Sequence, residues 1–234
     1  MGAFVSSFEV IDDTERSSET RPHPQEYAGW VYQQLANLKI GDPGILRFRR
    51  PRPTAAFSPQ DTTHPAYESA KALARAEGFE PIERGTGGRL TMFDENALGI
   101  TILSPHVDPH KDMMLRYEVV ANAITRALAS LGIEARIGEL PNEYCPGRFS
   151  IHAAGQFKLV GIAQRMNQRC VQMGAIVSIN HSKAACRSIA AAYEIMGLPF
   201  DPKTYGAITD VKPDLTYRHV VAACKAELFR SISI

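Results

Sequence analysis

One cysteine stands where a thiol could meet a substrate. Cys145 directly precedes the dipeptide Pro146-Gly147, which forces a turn at the mouth of a predicted strand. A thiol on such a turn can act as a nucleophile, and a nearby cation raises its thiolate fraction. The other cysteines fall inside periodic segments and are interpreted as small buried apolar residues: Cys170, Cys186 and Cys224. Cys145 is therefore the candidate nucleophile.

A lysine follows on a predicted hairpin strand, in the segment GQFKLVGIAQR. If Phe157 and Leu159 mark the alternation of that strand, Lys158 points to the opposite face. Two hypotheses remain open for it. In the first, Lys158 is solvated on the outer face of the hairpin, which is the commoner fate of a strand lysine. In the second, its ammonium lies in a cleft, where it hydrogen-bonds to an acyl carbonyl and polarises it.

A glycine-rich loop, ERGTGGRLTMFDE, joins two predicted strands and has an arginine before and after its glycines. The loop lacks the Walker lysine and does not match GxGxxG, so the segment does not predict a nucleotide site. Two interpretations stay open from the residues alone. The loop is either a flexible β-turn or a place where the backbone approaches a ligand closely, which glycine permits.

The histidines and cysteines do not have the spacing of metal ligands, and no metal site is predicted. Most of the histidines are interpreted as surface residues or as polar residues with satisfied hydrogen bonds. Only His152 is close enough in sequence to Cys145 to be considered as a base for the thiol.

The composition is that of an ordinary globular protein, with 44% hydrophobic and 22% charged residues and a net charge of +1. This charge does not favour nucleic acid or an anionic membrane surface as a partner. No apolar run approaches the roughly 20 residues of a membrane span, and the start has no signal-peptide pattern. We therefore predict a cytoplasmic protein whose cysteines are individual thiols rather than a disulfide framework.

The hydrophobic periodicity predicts helices and strands interspersed along the chain without strict βαβ alternation. Hairpin signals predict an α+β fold with a mixed, largely antiparallel sheet and packed helices. For the helix THPAYESAKALARAEG, Thr63 is the predicted N-cap and Gly78 the C-terminal stop. Residues 1–24 are predicted to be a polar N-terminal lead-in, and residues 25–234 a single domain with a C-terminal helical portion.

Taken together and in this order, the segments resemble the biotin/lipoate protein ligase superfamily, over residues 44–228. The resemblance rests on RGTGGRLTMFDENAL, on YEVVANAITRALASLGIEARIGELPNEYCPGRFSIHAAGQFKLVGIAQR, and on TYGAITDVKP. The first segment is similar to the family's arginine and double-glycine loop, which lies along the acyl chain. GQFKLVGIAQR is similar to the family's lysine motif, in which the lysine contacts the acyl carbonyl.

Two departures refine the resemblance. Many lipoate ligases have a histidine shortly after the double glycine, where this chain has RLTMFDENAL, and Asn-Asp after a glycine where it has EYCPG. Both features are similar instead to the cysteine-dependent branch of the family, the octanoyl-[GcvH]:protein N-octanoyltransferases. In that branch the cysteine of YCPG forms an acyl thioester. The resemblance therefore implies catalytic roles for Cys145 and Lys158, and substrate contacts from Arg84, Gly87, Gly88, Gly147 and Gly161.

The activity that the resemblance implies is transfer of an octanoyl or lipoyl group from a carrier protein to a lysine of a lipoyl domain. GcvH-type proteins and lipoyl domains are the implied partners, and no cofactor is implied, because an acyl thioester needs no activation by ATP. An acyl chain also needs a narrow apolar tunnel, for which the candidate lining residues are Leu90, Met92, Leu159 and Ile162. Two alternatives remain: a lipoate–protein ligase that uses ATP and magnesium, and a non-catalytic module that binds lipoyl or carrier proteins.

Overall fold

The computed structural model describes residues 3–232. In this part of the chain, ten strands form two sheets, and helices pack on both. The strands are β1 (Phe8–Asp13), β2 (Gly44–Arg49), β3 (Thr54–Phe57), β4 (Glu80–Glu83), β5 (Thr91–Phe93), β6 (Ala97–Pro105), β7 (Ala135–Ile137), β8 (Ile151–Ala153), β9 (Phe157–Met166) and β10 (Cys170–Ser178). The helices are α1 (Pro24–Asn37), α2 (Pro59–Thr62), α3 (Tyr67–Ala76), α4 (Met113–Ser130), α5 (Lys183–Ile195), α6 (Ile208–Val211) and α7 (Tyr217–Ile232), with a 3₁₀ turn at Pro202–Thr204.

The larger sheet has seven strands in the order β1-β2-β6-β10-β9-β8-β7. Only β1 and β2 pair in parallel within it, and every other neighbouring pair is antiparallel. The smaller sheet has the order β4-β3-β5 and is mixed. The predicted fold class, a mixed and largely antiparallel sheet with packed helices, is confirmed.

The main core lies between one face of the larger sheet and the helices α4 and α7. The amphipathic pattern of α4 buries Val120, Ile124 and Leu128 against strand residues such as Leu159 and Val171. A second core joins the smaller sheet to α3 and α5. These two cores leave the other face of the larger sheet turned toward the smaller sheet, and the candidate site lies between them.

Two features differ from the sequence prediction. Part of the polar lead-in is β1, which adds a parallel edge strand beside β2. The strand mixes apolar and acidic residues and is largely exposed, because an edge strand of this kind buries little apolar surface. Thr63 is not an N-cap, since the chain makes the short helix α2 first and α3 begins only at Tyr67, after Ala66. Gly78 does end α3 as predicted, with a φ of 84°.

The predicted domain bounds include four terminal residues that lie outside the described part of the chain: Met1, Gly2, Ser233 and Ile234. Among residues 3–232, no helix combines the length and the apolar composition needed to cross a membrane.

Candidate active site

A cavity of about 300 Å³ opens between the two sheets. Its floor is the exposed face of the larger sheet, its opposite wall is the smaller sheet, and one end is closed by the glycine-rich loop and the Cys145 turn. All of the sequence-predicted site residues line it: Arg84, Gly87, Gly88, Cys145, Gly147, Lys158 and Gly161. The fold thus brings together residues from segments that are up to 77 positions apart in sequence.

Cys145 has a backbone conformation that is rare for a residue with a side chain. Its φ is 44°, in the left-handed region, which costs a non-glycine residue roughly 1–2 kcal/mol. Buried Tyr144 fixes the chain on one side, and the Pro146-Gly147 turn leads it away on the other. The strain is therefore imposed by the surrounding structure, as is common at functional sites.

The Cys145 thiol lies against the glycine-rich loop. Its Sγ accepts a hydrogen bond from the backbone N–H of Arg89 at 3.2 Å, and Arg84 Nη2 lies 3.6 Å away. A Cβ on Gly88 would be only 2.7 Å from this sulfur, so only glycine allows the loop to come so close. One amide and one guanidinium therefore face the sulfur, an arrangement that stabilises a thiolate.

The guanidinium of Arg84 is only partly satisfied by hydrogen bonds within the protein. Its Nη1 donates to Thr86 Oγ1 at 3.0 Å and its Nη2 donates to the carbonyl oxygen of Arg89 at 2.8 Å. Its Nε is buried and has no hydrogen-bond partner among the described residues. A buried donor without a partner is costly, which makes it a candidate to meet an acceptor on a ligand.

The other three cysteines are in surroundings that suppress their reactivity. Burial raises the pKa of the Cys170 thiol to about 11 and that of the Cys224 thiol to about 12. Burial also raises the pKa of Cys186. These groups are neutral thiols at physiological pH. Cys170 and Cys224 are buried in the cores as predicted, whereas the prediction of burial is wrong for Cys186, which is only half-buried at the edge of the second core.

Lys158 is completely buried, so the hypothesis of a solvated surface lysine is wrong. Its ammonium donates to Glu143 Oε1 at 2.8 Å and to the carbonyl oxygens of Tyr144 at 2.9 Å and Cys145 at 2.7 Å. An ammonium has three N–H donors, and these three bonds use all of them. Lys158 therefore contacts the backbone of the candidate nucleophile itself.

Glu143 is the partner that the sequence analysis missed. Its side chain is fully buried and also accepts hydrogen bonds from Ser150 Oγ at 2.6 Å and from the backbone N–H of Leu140 at 3.0 Å. The residue stands in the coil segment NEYCPG, where no periodicity marks it as buried. The available signal was the buried-lysine hypothesis itself, because a buried ammonium requires an anion nearby.

The floor of the cavity is a trough of small residues. On adjacent strands, Gly161, Ile176, Gly99 and Arg49 pair in one row across β9, β10, β6 and β2. The next row on the same face runs through Ala163, Gly174, Thr101 and Arg47. Glycines inside strands weaken a sheet and often mark a surface that a ligand approaches, and here they leave room above the floor.

The predicted tunnel residues are only partly correct. Ile162 borders the cavity, but its side chain packs on the main core, as does that of Leu159, whereas Leu90 and Met92 are buried in the second core. The error on β5 is one of phase, because successive side chains alternate between faces. Thr91 and Phe93 line the cavity there instead of Met92.

His152 is not among the residues that line the cavity. It lies on β8, half-buried, with a buried Nδ1 that has no hydrogen-bond partner among the described residues. In this part of the chain, no histidine or carboxylate lines the cavity, so the groups that face the thiol are Arg84 and the Arg89 amide. Nor do the described residues contain a cluster of three or more metal-binding side chains.

The far end of the cavity carries a cation that the sequence analysis did not single out. The Arg49 side chain folds over Gly99, with Nε 3.1 Å from the position that a Cβ would take. Its guanidinium stacks on the ring of Tyr27 at 3.8 Å and lies 5.7 Å from the ring of Phe93. The Nε is buried without a hydrogen-bond partner in the described part of the chain.

The largely antiparallel sheet, the glycine-rich loop and the buried lysine next to a cysteine turn together form this cavity. Residues 27–228 match the model of the lipoyl protein ligase A/B catalytic domain, and the chain belongs to this family.

Curated relatives are similar over part of their length. Octanoyl-[GcvH]:protein N-octanoyltransferase of Geobacillus kaustophilus is 28% identical over 160 residues, which cover 68% of this chain and 56% of that protein. Lipoyl-[GcvH]:protein N-lipoyltransferase of Listeria monocytogenes is 22% identical over 176 residues, covering 75% of this chain and 56% of that protein. The chain spans about half the length of the curated relatives it matches.

Solved structures share the fold across nearly the whole chain. Lipoate-protein ligase A bound with ATP has a TM-score of 0.71 at 18% identity and covers 99% of this chain and 85% of its own. The bipartite lipoate protein ligase of Thermoplasma acidophilum, studied with its E2 lipoyl domain, has a TM-score of 0.71 at 16% identity, covering 97% and 84%. At these identities the likeness establishes the fold.

Proposed function

We propose that this protein transfers an octanoyl or lipoyl group from a carrier protein to a lysine of a lipoyl domain through a thioester on Cys145. The proposal rests on the position of the Cys145 thiol and on the groups that face it. Cys145 is held at one end of a trough of small residues, with the Arg89 amide and the Arg84 guanidinium facing its sulfur. A nucleophile, a stabilising environment for its anion and a channel for a narrow chain are the parts that such a transfer needs.

In the first step, the Cys145 thiolate attacks the acyl carbonyl carbon and forms a C–S bond. The bond from that carbon to the nitrogen of the donor lysine breaks, and the departing amine takes up the proton that the thiol released. In the second step, the amine of the acceptor lysine attacks the thioester carbon. A C–N bond forms, the C–S bond breaks, and the proton lost by the amine returns to the thiol.

Exchange of one amide for another leaves the overall free energy nearly balanced, so the proposed reaction does not require ATP. Negative charge develops on the acyl oxygen in both steps and needs a hydrogen-bond donor. The Lys158 donors are already in use, whereas Arg84 Nε is buried and has no partner. We therefore assign the contact with the acyl oxygen to Arg84.

The length of the trough suits an octanoyl or lipoyl chain. The Arg49 guanidinium lies over Gly99 on β6, two strands beyond Gly161 on β9. Two strand spacings are ~10 Å, which an extended chain of roughly eight bonds spans.

The test is transfer from an octanoyl-bearing GcvH-type carrier to an unmodified lipoyl domain, with and without ATP and Mg²⁺, followed by mass spectrometry of the acceptor. We expect equal transfer in both conditions. Transfer from free octanoate or lipoate that depends on ATP would support a ligase instead, the activity in the name of the ATP-bound neighbour. Binding of the carrier without transfer in either condition would support a non-catalytic module.

A further inference from the structure

Cys145 keeps its left-handed conformation only if the surrounding structure outweighs the strain. Both polar groups of its backbone are held by buried side chains from separate elements. Its carbonyl oxygen accepts from Lys158 on β9, and its N–H donates to the hydroxyl of Tyr193 on α5 at 2.7 Å. The Tyr193 hydroxyl in turn donates to the carbonyl oxygen of Leu90 at 2.9 Å, which ties the turn to the end of the glycine-rich loop.

The residues that hold the Cys145 turn are themselves fixed by further hydrogen bonds. Burial raises the pKa of Tyr193 well above its ordinary value, so its hydroxyl keeps the proton that it donates to Leu90. Glu143 neutralises Lys158 and is fixed by Leu140 and Ser150. A buried ion pair is expensive to desolvate, and apolar residues of similar volume would often serve stability as well. Stability alone therefore does not account for the pair.

We propose that Glu143, Lys158 and Tyr193 are positioning residues that clamp the Cys145 turn, with Lys158 acting through the Cys145 carbonyl. This inference rests on the proposed function for its consequence in catalysis. The clamp aims the sulfur at the Arg89 amide and at Arg84. Without it, Cys145 can relax to an ordinary backbone conformation, which withdraws the sulfur from both groups.

The test separates positioning from direct contact with the acyl oxygen by using two reactions of the same thiol. Alkylation by iodoacetamide forms no oxyanion, whereas thioester formation does. Lys158→Met alone leaves a buried carboxylate unpaired and could unfold the chain, so the decisive variant is Glu143→Gln with Lys158→Met. Tyr193→Phe tests the other side of the clamp, Lys203→Met is the exposed-lysine control, and urea unfolding verifies that each variant is folded.

We expect the double variant to slow alkylation of Cys145 and formation of its octanoyl thioester alike, by at least ~10-fold, and Tyr193→Phe to slow both to a smaller extent. Lys203→Met should leave both rates unchanged. Wild-type alkylation with a 100- to 1000-fold slower acylation would mean, on the usual effect of removing an oxyanion donor, that Lys158 serves the acyl oxygen and would overturn the proposal. Absence of acylation in the wild type would refute the proposed function, while the alkylation rates would still decide for or against the clamp.

A separate observation concerns the far end of the trough. No carboxylate of the described residues lines the cavity, and Arg49 presents there a buried Nε without a partner. A methyl group at the end of an octanoyl chain would cover this guanidinium without offering an acceptor, which is unfavourable. The dithiolane sulfurs at the end of a lipoyl chain are polarisable and accept hydrogen bonds weakly.

We infer that Arg49 is a specificity-determining residue that favours a lipoyl over an octanoyl chain, again as a refinement of the proposed function. The test is calorimetric binding of lipoamide and octanamide, which does not depend on transfer activity. We expect the wild type to prefer lipoamide by roughly three- to tenfold, because sulfur is a weak acceptor. Arg49→Leu should abolish the preference, and Arg136→Leu, at an exposed arginine, should retain it. Equal or better binding of octanamide by the wild type would overturn the inference, as would a preference that survives Arg49→Leu.

Discussion

At the Cys145 end of the cavity, the nucleophile's backbone and the ion pair beside it all have buried partners, whereas at the Arg49 end a guanidinium rests on an aromatic ring with an unpartnered Nε. The first arrangement fixes one geometry, as bond making at a sulfur atom requires. The second, like Arg84 Nε beside the sulfur, leaves a buried donor without a partner among the described residues, and it lies at the other end of the trough. Together with the proposed function, we infer from this difference that reactivity is decided at one end of the trough and choice of chain at the other.

The comparison predicts the largest effect for the reacting atom itself. Cys145→Ala should reduce transfer by at least ~10⁴-fold, because a two-step acyl transfer has no substitute for its nucleophile. Rates of carrier-to-carrier transfer, measured by mass spectrometry of the acceptor, provide the check. Cys186→Ala is the matched control at a half-buried thiol and should retain transfer. An active Cys145→Ala variant would remove the reason for distinguishing the two ends.

A smaller loss is expected when the cation facing the sulfur is removed. Arg84→Met deletes both the guanidinium near Sγ and the free Nε, so acylation should fall by about 100- to 1000-fold, as for other oxyanion donors. Single-turnover thioester formation measures this step. Arg75→Met, at an exposed arginine on α3, should be neutral. A rate for Arg84→Met within threefold of the wild type would contradict the role assigned to this arginine.

The double glycine offers a comparison between neighbours. Gly88→Ala would place a methyl group 2.7 Å from the Cys145 sulfur at a φ of 101°, so we expect a loss of roughly 10- to 100-fold in transfer. A Cβ on Gly87 would meet no atom within 4 Å, so Gly87→Ala should have a much smaller effect. Equal losses for the two variants would mean that the loop does not need to approach the thiol.

The smallest effect is expected on the floor of the trough. A Cβ on Gly161 would contact only Lys158 Cε, at 3.9 Å, so Gly161→Ala should fold normally. Its methyl group would narrow the channel and should raise KM for the acyl donor several-fold, with little change in kcat, since overpacking costs about 1 kcal/mol or more. Steady-state kinetics distinguish the two constants. A fall in kcat with constant KM would show that this part of the floor belongs to the reactive end.

The sequence predicted those parts of the site that short local motifs indicate. The Pro146-Gly147 turn identified Cys145 as a thiol on a turn, where it lines the cavity, and the glycine-rich loop and hairpin strand were placed correctly. Glu143 was missed because coil segments have no periodicity that reveals burial. Arg49 was missed because its place depends on the register of four strands, which brings it into one row with Gly161, 112 residues away. The lining of the tunnel failed on β5 because adjacent side chains exchange faces with a shift of one residue.

The central claim is a covalent intermediate on Cys145, and intact mass spectrometry tests it most directly. The purified protein is mixed with an octanoyl-bearing carrier in the absence of ATP and of an acceptor, quenched in acid, and digested to locate the adduct. The account predicts one added octanoyl group on the peptide that contains Cys145, lost when hydroxylamine or an unmodified lipoyl domain is added. Transfer to the lipoyl domain without any acylated Cys145 peptide in the wild type would contradict it.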